Sequence, residues 1–172
     1  MSSNALIKDL RFVNDEQYLK DLCSTMRYAY RKAPYKEIGL ELFEEIVYYP
    51  ETTVSLFLEH QMRVIARYLE INTEIIKASD YRGKIHPKGQ DAILELCHTL
   101  HTDIYVNSIG GNHLYDRDRF EKENMQLKFI RADFEAIEKI SHRDHMDYSI
   151  LDLIMNYSKE DIQEMLKCKI YE

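Results

Sequence analysis

Two short stretches hold the residue types and spacings best suited to gripping a small ligand. One is Asn107-Ser108-Ile109-Gly110-Gly111-Asn112, where two of the chain's five glycines stand side by side between asparagines. Adjacent glycines let the backbone take positive φ and let a ligand approach the main chain, and Asn107 and Asn112 bring amide groups to the same turn. The other is Lys88-Gly89-Gln90, at the head of a helical pattern. A helix start offers unsatisfied N–H groups and a partial positive charge, which together with a lysine suit a phosphate or carboxylate. Each stretch has a plainer reading as a tight turn without ligand, with Lys88 solvated and Gly110-Gly111 turning a strand into a helix. Neither has the spacing of a dinucleotide fingerprint or a P-loop, so neither names a nucleotide. Tyr115 and Asp116, just beyond, are expected to pack and to cap the next helix, Asp being a preferred N-cap.

Other reactive side chains are less well placed. His98 and His101 are three apart, as are His142 and His145, but a zinc site needs three or four converging ligands and no further element supplies them, so no metal is expected. His142-Arg143-Asp144 spells a kinase tripeptide without the glycine-rich loop, strand lysine or DFG segment that would give it meaning. Cys97 precedes His98, yet helix neighbours point about 100° apart, and Cys97 falls on the apolar stripe of Ile93, Leu94 and Leu100, which reads as core. His60 reads as partly buried and hydrogen-bonded. Tyr28, Tyr30 and Tyr35 offer a stacking wall for a sugar or base, though packing explains them equally well. No residue receives a catalytic role, and no cofactor is named.

These stretches need elements to hold them. Residues 6–12 read as a short strand, after which Asn14 or Asp15 can cap a helix over 15–32, ended by Pro34. Ile38, Leu42 and Ile46 mark a helix over 36–48 that stops before Pro50, and Leu56, Met62, Ile65 and Leu69 mark another over 53–69, capped by Thr52 or Thr53. The pattern then changes. Residues 73–79 read as a strand, 88–100 as a helix, 103–109 as a strand, 116–124 as a short helix and 126–132 as a strand in which Leu127, Phe129 and Arg131 alternate with their neighbours. Parallel strands need crossover helices, so the expected fold is α/β: a helical N-terminal half, a small parallel βαβαβ sheet, and C-terminal helices over 149–156 and, capped by Ser158, 159–167. Both ligand stretches then fall at carboxyl ends of strands, where open α/β sheets bind ligands. Residues 133–148 read as an irregular, charged and mobile segment.

The chain as a whole has 172 residues with a formal charge of −7, 45% hydrophobic and 31% charged. That is the composition of one folded domain over 1–172 that needs neither metal nor disulfides. No apolar run approaches the roughly 20 residues that span a bilayer, and the start lacks a signal-peptide pattern, so a cytoplasmic protein without membrane insertion is expected. Cys23, Cys97 and Cys168 are odd in number and widely spaced, which reads as reduced, mostly buried thiols. The acidic balance disfavours nucleic acid, whose general affinity comes from Lys and Arg displacing counterions. Arg27, Arg31, Lys32 and Lys36 form a local basic cluster that reads as a solvated helix face.

Taken in order, Tyr30-Arg31-Lys32-Ala33-Pro34-Tyr35, the Lys88-Gly89-Gln90 turn, the run from Tyr105 to Asp116 and the segment from Ser149 to Asn156 resemble the WbqC-like family over most of the chain. Two features depart from it. Relatives carry a basic residue a few positions into the helix after the KGQ-like turn, where Ala92 stands here, which weakens any phosphate contact made there. Relatives also open with a strand and loop rich in Gln, Pro and Tyr, and the resemblance implies that this chain begins after that segment. The resemblance implies an α/β fold and a bacterial protein of surface-polysaccharide (O-antigen) biosynthesis, a transferase moving a small acyl or aminoacyl group such as glycine to a sugar. The implied partner is a small molecule, a nucleotide sugar or acyl donor, held by Lys88, Gly89, Gln90, Asn107, Gly110, Gly111 and Asn112. A non-catalytic binding or interaction module, or a truncated remnant of the family, is the alternative.

Overall fold

The computed structural model describes residues 7–13, 15–81, 87–143 and 149–172. Backbone proximity divides the chain into two compact units, Met1–Thr73 with Glu138–Leu166, and Glu74–Ile137 with Lys167–Glu172.

The first unit is helical. The Asp15 carboxylate accepts from Tyr18 N–H at 2.8 Å and starts α1, Glu16–Ala29; the alternative cap, Asn14, lies outside the described residues. Then come α2 (Lys36–Val47) and α3 (Val54–Tyr68). After α6, which spans Phe134–Ser141, the unit continues with α7 (Ile150–Asn156) and α8 (Lys159–Met165). Ser158 caps α8 by accepting from Asp161 N–H at 3.1 Å, the local bond that favours Ser at this position. The helices close over Leu69, Ile154 and Ile162, with Leu42, Ile65 and Tyr68 packed around them. Gly39 of α2 is needed here: a Cβ on it would sit 2.4 Å from Met155 Sδ, so its absence lets α2 and α7 pack at close range. The expected helix stripes hold in part: Leu42, Ile46, Ile65 and Leu69 face the core, while Ile38, Leu56 and Met62 are exposed and Leu40 and Val64 are buried instead. Of the strand expected over 6–12, the described residues 7–12 do not make one. Ile7–Asp9 is a 3₁₀ turn, and pairing is limited to a single antiparallel bridge between Arg11 and Thr53, because Thr53 immediately enters a helix and leaves no ladder to extend.

The second unit carries the sheet. It contains α4 (Gln90–Thr99), β1 (Ile104–Ser108), α5 (Arg117–Lys122), β2 (Gln126–Ala132) and β3 (Lys169–Tyr171). The order is β1-β2-β3. β1 and β2 are parallel, from Ile104 opposite Gln126 to Ser108 opposite Ile130, and β3 runs antiparallel to β2. The expected mixture of helices with a small sheet and C-terminal helices is present, but its strands differ in two places. Residues 71–77 join no ladder and Ala78–Asp80 is a 3₁₀ turn, while the third strand comes from the last residues described. Apolar character over five or six residues signals a strand without choosing its partner. Leu127 and Phe129 enter a core with Leu94, Cys97, Phe120 and Met125, whereas Arg131 turns outward to Glu172 at 2.7 Å. The segment read as irregular contains α6. Asp133 accepts from Ala136 N–H at 3.2 Å, a cap overlooked in a run dense with charge. Residues 144–148, with His145, lie outside the described residues.

Candidate functional site

The seven residues expected to hold a ligand all belong to the second unit, and they divide by what holds each in place. Gly89 occupies the N-cap of α4 with φ +58° and ψ −138°, a conformation open essentially to glycine alone. Nothing lies within 4 Å of where its Cβ would be, so the constraint is backbone geometry and not crowding. Lys88 beside it is exposed. Gln90, the first residue of α4, accepts from Asp116 N–H through its side-chain oxygen at 2.9 Å. Asp116 is also the N-cap of α5, where its carboxylate accepts from Asp118 N–H at 3.1 Å. Nearby, Arg119 approaches Asp91 at 3.5 Å. The Lys88-Gly89-Gln90 turn and the start of α5 are therefore joined by one hydrogen bond.

The glycine loop is a 3₁₀ turn over Ile109–Leu114, and neither of its glycines has positive φ. The expectation that this pair supplies left-handed backbone fails, because a 3₁₀ turn uses ordinary negative φ. Close approach is what one of them provides: a Cβ on Gly111 would lie 2.4 Å from Asn107 Nδ2. Asn107 thus folds over Gly111 from the end of β1, while a Cβ on Gly110 would meet no atom within 4 Å and would face open space. Asn112 remains exposed and lines a cleft of about 440 Å³ whose other polar side chains include His113, Arg117 and the acidic Glu172.

Arg117 is the functional candidate that the sequence reading missed. Its Nη1 donates to Leu127 C=O at 3.0 Å and its guanidinium lies 5.4 Å from the centre of the Phe129 ring. A guanidinium seated on an aromatic face and pinned by a carbonyl is oriented before any ligand arrives. Arg117 also lines a second cleft of about 450 Å³, with Glu121, Lys128 and Tyr171. A basic residue opening the helix directly after the glycine loop was the available signal. Below it, Tyr105 and Tyr115 share a hydroxyl–hydroxyl hydrogen bond of 3.1 Å and pack on Phe120. Burial, then the bond to Tyr115, raises the Tyr105 pKa above the usual phenol range. Tyr115 and Asp116 pack and cap as expected. Cys97 is core, and burial pushes its thiol upward.

The remaining candidates have local partners. His98 approaches Glu123 at 3.3 Å, and among the described residues no group of three or more His, Cys, Asp or Glu side chains is arranged to hold a metal ion. In the first unit His60 stacks on Tyr49 at 3.8 Å and meets Glu45 C=O at 3.3 Å. Of the basic cluster, Arg27 pairs with Glu44, Arg31 lies over Tyr28 and Lys36 reaches Arg31 C=O at 3.2 Å. Two further motifs meet there: the Tyr30 hydroxyl donates to Asp152 at 3.1 Å, and Tyr35 N–H to Met155 C=O at 3.0 Å. Asp152 also receives Arg143 at 3.1 Å and Asn156 at 3.3 Å. This network ties α1, α7 and the residues after α6 together, which gives the Tyr30–Tyr35 and Ser149–Asn156 segments a structural purpose.

A family model described as the WbqC-like protein family matches residues 1–164. No curated protein and no solved structure matches the chain.

Proposed function

We propose, on the premise that the chain belongs to the WbqC-like protein family, that it acts in bacterial surface-polysaccharide (O-antigen) biosynthesis by transferring a small acyl or aminoacyl group to a sugar. In this reading an anionic donor, a nucleotide sugar or an acyl carrier, lies between the Lys88–Gln90 turn and the Asn107–Asn112 loop. Arg117 supplies an oriented anchor for its phosphate or carboxylate, and Lys88 and Asn112 close around it. Gln90, Asn107 and Gly111 act as positioning residues that hold the two loops in register. The observation that carries the reading is the Gln90–Asp116 hydrogen bond of 2.9 Å, which ties the Lys88–Gln90 turn to the start of α5, just past the glycine loop and beside a cleft that Asn112 and Arg117 both line.

The packing duties of Gln90, Asn107 and Gly111 favour a second reading, in which the same cleft binds a ligand without transforming it. Calorimetric titration with nucleotide sugars and acyl thioesters, followed by mass spectrometry of the acceptor sugar, separates the two. Binding lost in Arg117→Ala together with an acylated sugar supports transfer. Binding without a mass gain supports the second reading, and binding unchanged in Arg117→Ala and in Lys88→Ala contradicts both.

A further inference from the structure

The first unit carries a cavity of its own, of about 220 Å³, with walls from α2, α3 and the start of α7. α2 runs antiparallel to both neighbours. Gly39, early in α2, lies against Met155 near the end of α7. Glu45, late in α2, offers its C=O to His60 in the first half of α3, while Leu42 packs into the cluster that holds Leu69, just past the end of α3. Position along the three helices therefore maps onto depth. Leu42, Ile65 and Ile154 stand together at one end, in a cluster where Ile154 is only 1% exposed. Val47, Gln61 and Ser149 stand a turn or more toward the other end, where Ser149 is exposed.

The chemistry follows the same axis. Among the described residues, every wall side chain other than Gln61 and Ser149 is aliphatic or phenyl, and none is charged. The Gln61 amide has no hydrogen-bond partner among the described residues. Ser149 accepts from Leu151 N–H at 3.3 Å as the cap of α7, which leaves its own hydroxyl proton to donate. Protein interiors hold few voids larger than a water molecule, and a dry cavity of about 150 Å³ lined by Leu, Ile and Phe admits benzene. A space half as large again takes on the order of eight or nine non-hydrogen atoms.

We propose that this slot binds a short, uncharged aliphatic ligand, with its chain along Leu42, Ile65 and Ile154 and a hydroxyl or carbonyl oxygen at the end that holds Gln61 and Ser149. Volume sets the length of the chain. The two neutral polar side chains select an oxygen-bearing head, since the amide can give or accept a hydrogen bond and the hydroxyl can give one. An ionised head would be taken out of water without a counter-charge in these walls.

Titration of the full chain with straight-chain alcohols from 1-butanol to 1-nonanol, followed through isotope-labelled isoleucine methyl signals in NMR spectra, tests this. Ile46, Ile65, Ile150 and Ile154 are expected to shift, while Ile104 and Ile130 of the second unit stay in place. Affinity should rise about fourfold with each added methylene and level off at about eight or nine non-hydrogen atoms, where the slot is full. Hexanoate at neutral pH should bind at least about tenfold more weakly than 1-hexanol. Gln61→Leu, at a half-buried position, should weaken 1-hexanol by about threefold to tenfold, and Val47→Phe, which narrows the open end, should weaken the longer alcohols most. No shift at the four lining isoleucines with any alcohol, an affinity that climbs with chain length without levelling, hexanoate bound as tightly as 1-hexanol, or binding unchanged in both variants would overturn the assignment.

Discussion

Glycine positions give the sharpest contrasts at the level of single residues. Alanine at Gly111 places a Cβ against Asn107 Nδ2, the far end of a half-buried side chain that can turn aside, so the loss expected in urea denaturation is at most the roughly 0.5–1.5 kcal/mol of an off-rotamer side chain. Alanine at Gly110 meets nothing within 4 Å and its φ is not positive, so it should be nearly neutral. Equal losses at the two positions would contradict the assignment of Gly111 as the seat of Asn107. Gly89→Ala should also destabilise, by about 1–3 kcal/mol, because alanine is strained at its backbone angles. The sequence announced that this loop was special, but it could not say which glycine mattered or why, because the reason is a side chain from the preceding strand. Tyr105 supplies a pH test. Its phenol is raised by burial and by Tyr115, so the native state keeps a proton that the unfolded chain releases above about pH 10. Stability therefore falls as pH rises beyond that value. Tyr105→Phe should flatten part of that alkaline slope in denaturant titrations between about pH 9 and 11; the slope persists in part because Tyr30 and Tyr68 are raised as well.

At the level of elements, caps and proline stops were legible while partners were not. Asp15, Asp116 and Ser158 each bond an N–H in the first turn of the helix they begin, and strand 126–132 coincides with β2. Such bonds are local, so sequence alone reveals them. Ser158→Ala is expected to cost about 0.5–2 kcal/mol in thermal or urea unfolding. A negligible loss would mean that α8 takes its stability from the burial of Ile162 and Met165 instead. The strand expected at 73–79 has the apolar character of a strand but is not one of the sheet's three strands, and β3, only three residues long, shows no periodicity. Both failures concern long-range pairing. The stripes of α2 and α3 hold only in part for the same reason: Leu42, Ile46, Ile65 and Leu69 pack inward while Ile38, Leu56 and Met62 do not, because helical spacing alone does not say where the packed face ends. Arg117 escaped notice because its value rests on Phe129 and Leu127, which belong to a different strand.

For the molecule as a whole, the family assignment spans 1–164 and so takes in residues of both compact units. Among the described residues no helix is long and apolar enough to cross a membrane. With a charge of −7 the protein is expected to flow through immobilised heparin or DNA at physiological salt, since each phosphate contact requires a displaced counterion and a lysine or arginine to make it. Retention there would point to the cluster of Arg31 and Lys32 as a basic surface, and away from a small-molecule role centred on Arg117. The proposed function instead requires a ligand that recognises only the folded second unit, and such a ligand raises the melting temperature by mass action. The most direct test is a thermal-shift screen of the full chain against nucleotide sugars, acyl carriers and amino acids, repeated with Arg117→Ala and Lys88→Ala. The proposal predicts at least one ligand whose shift grows with its concentration and disappears in Arg117→Ala. A shift unchanged in both variants, or none across the panel, would contradict it.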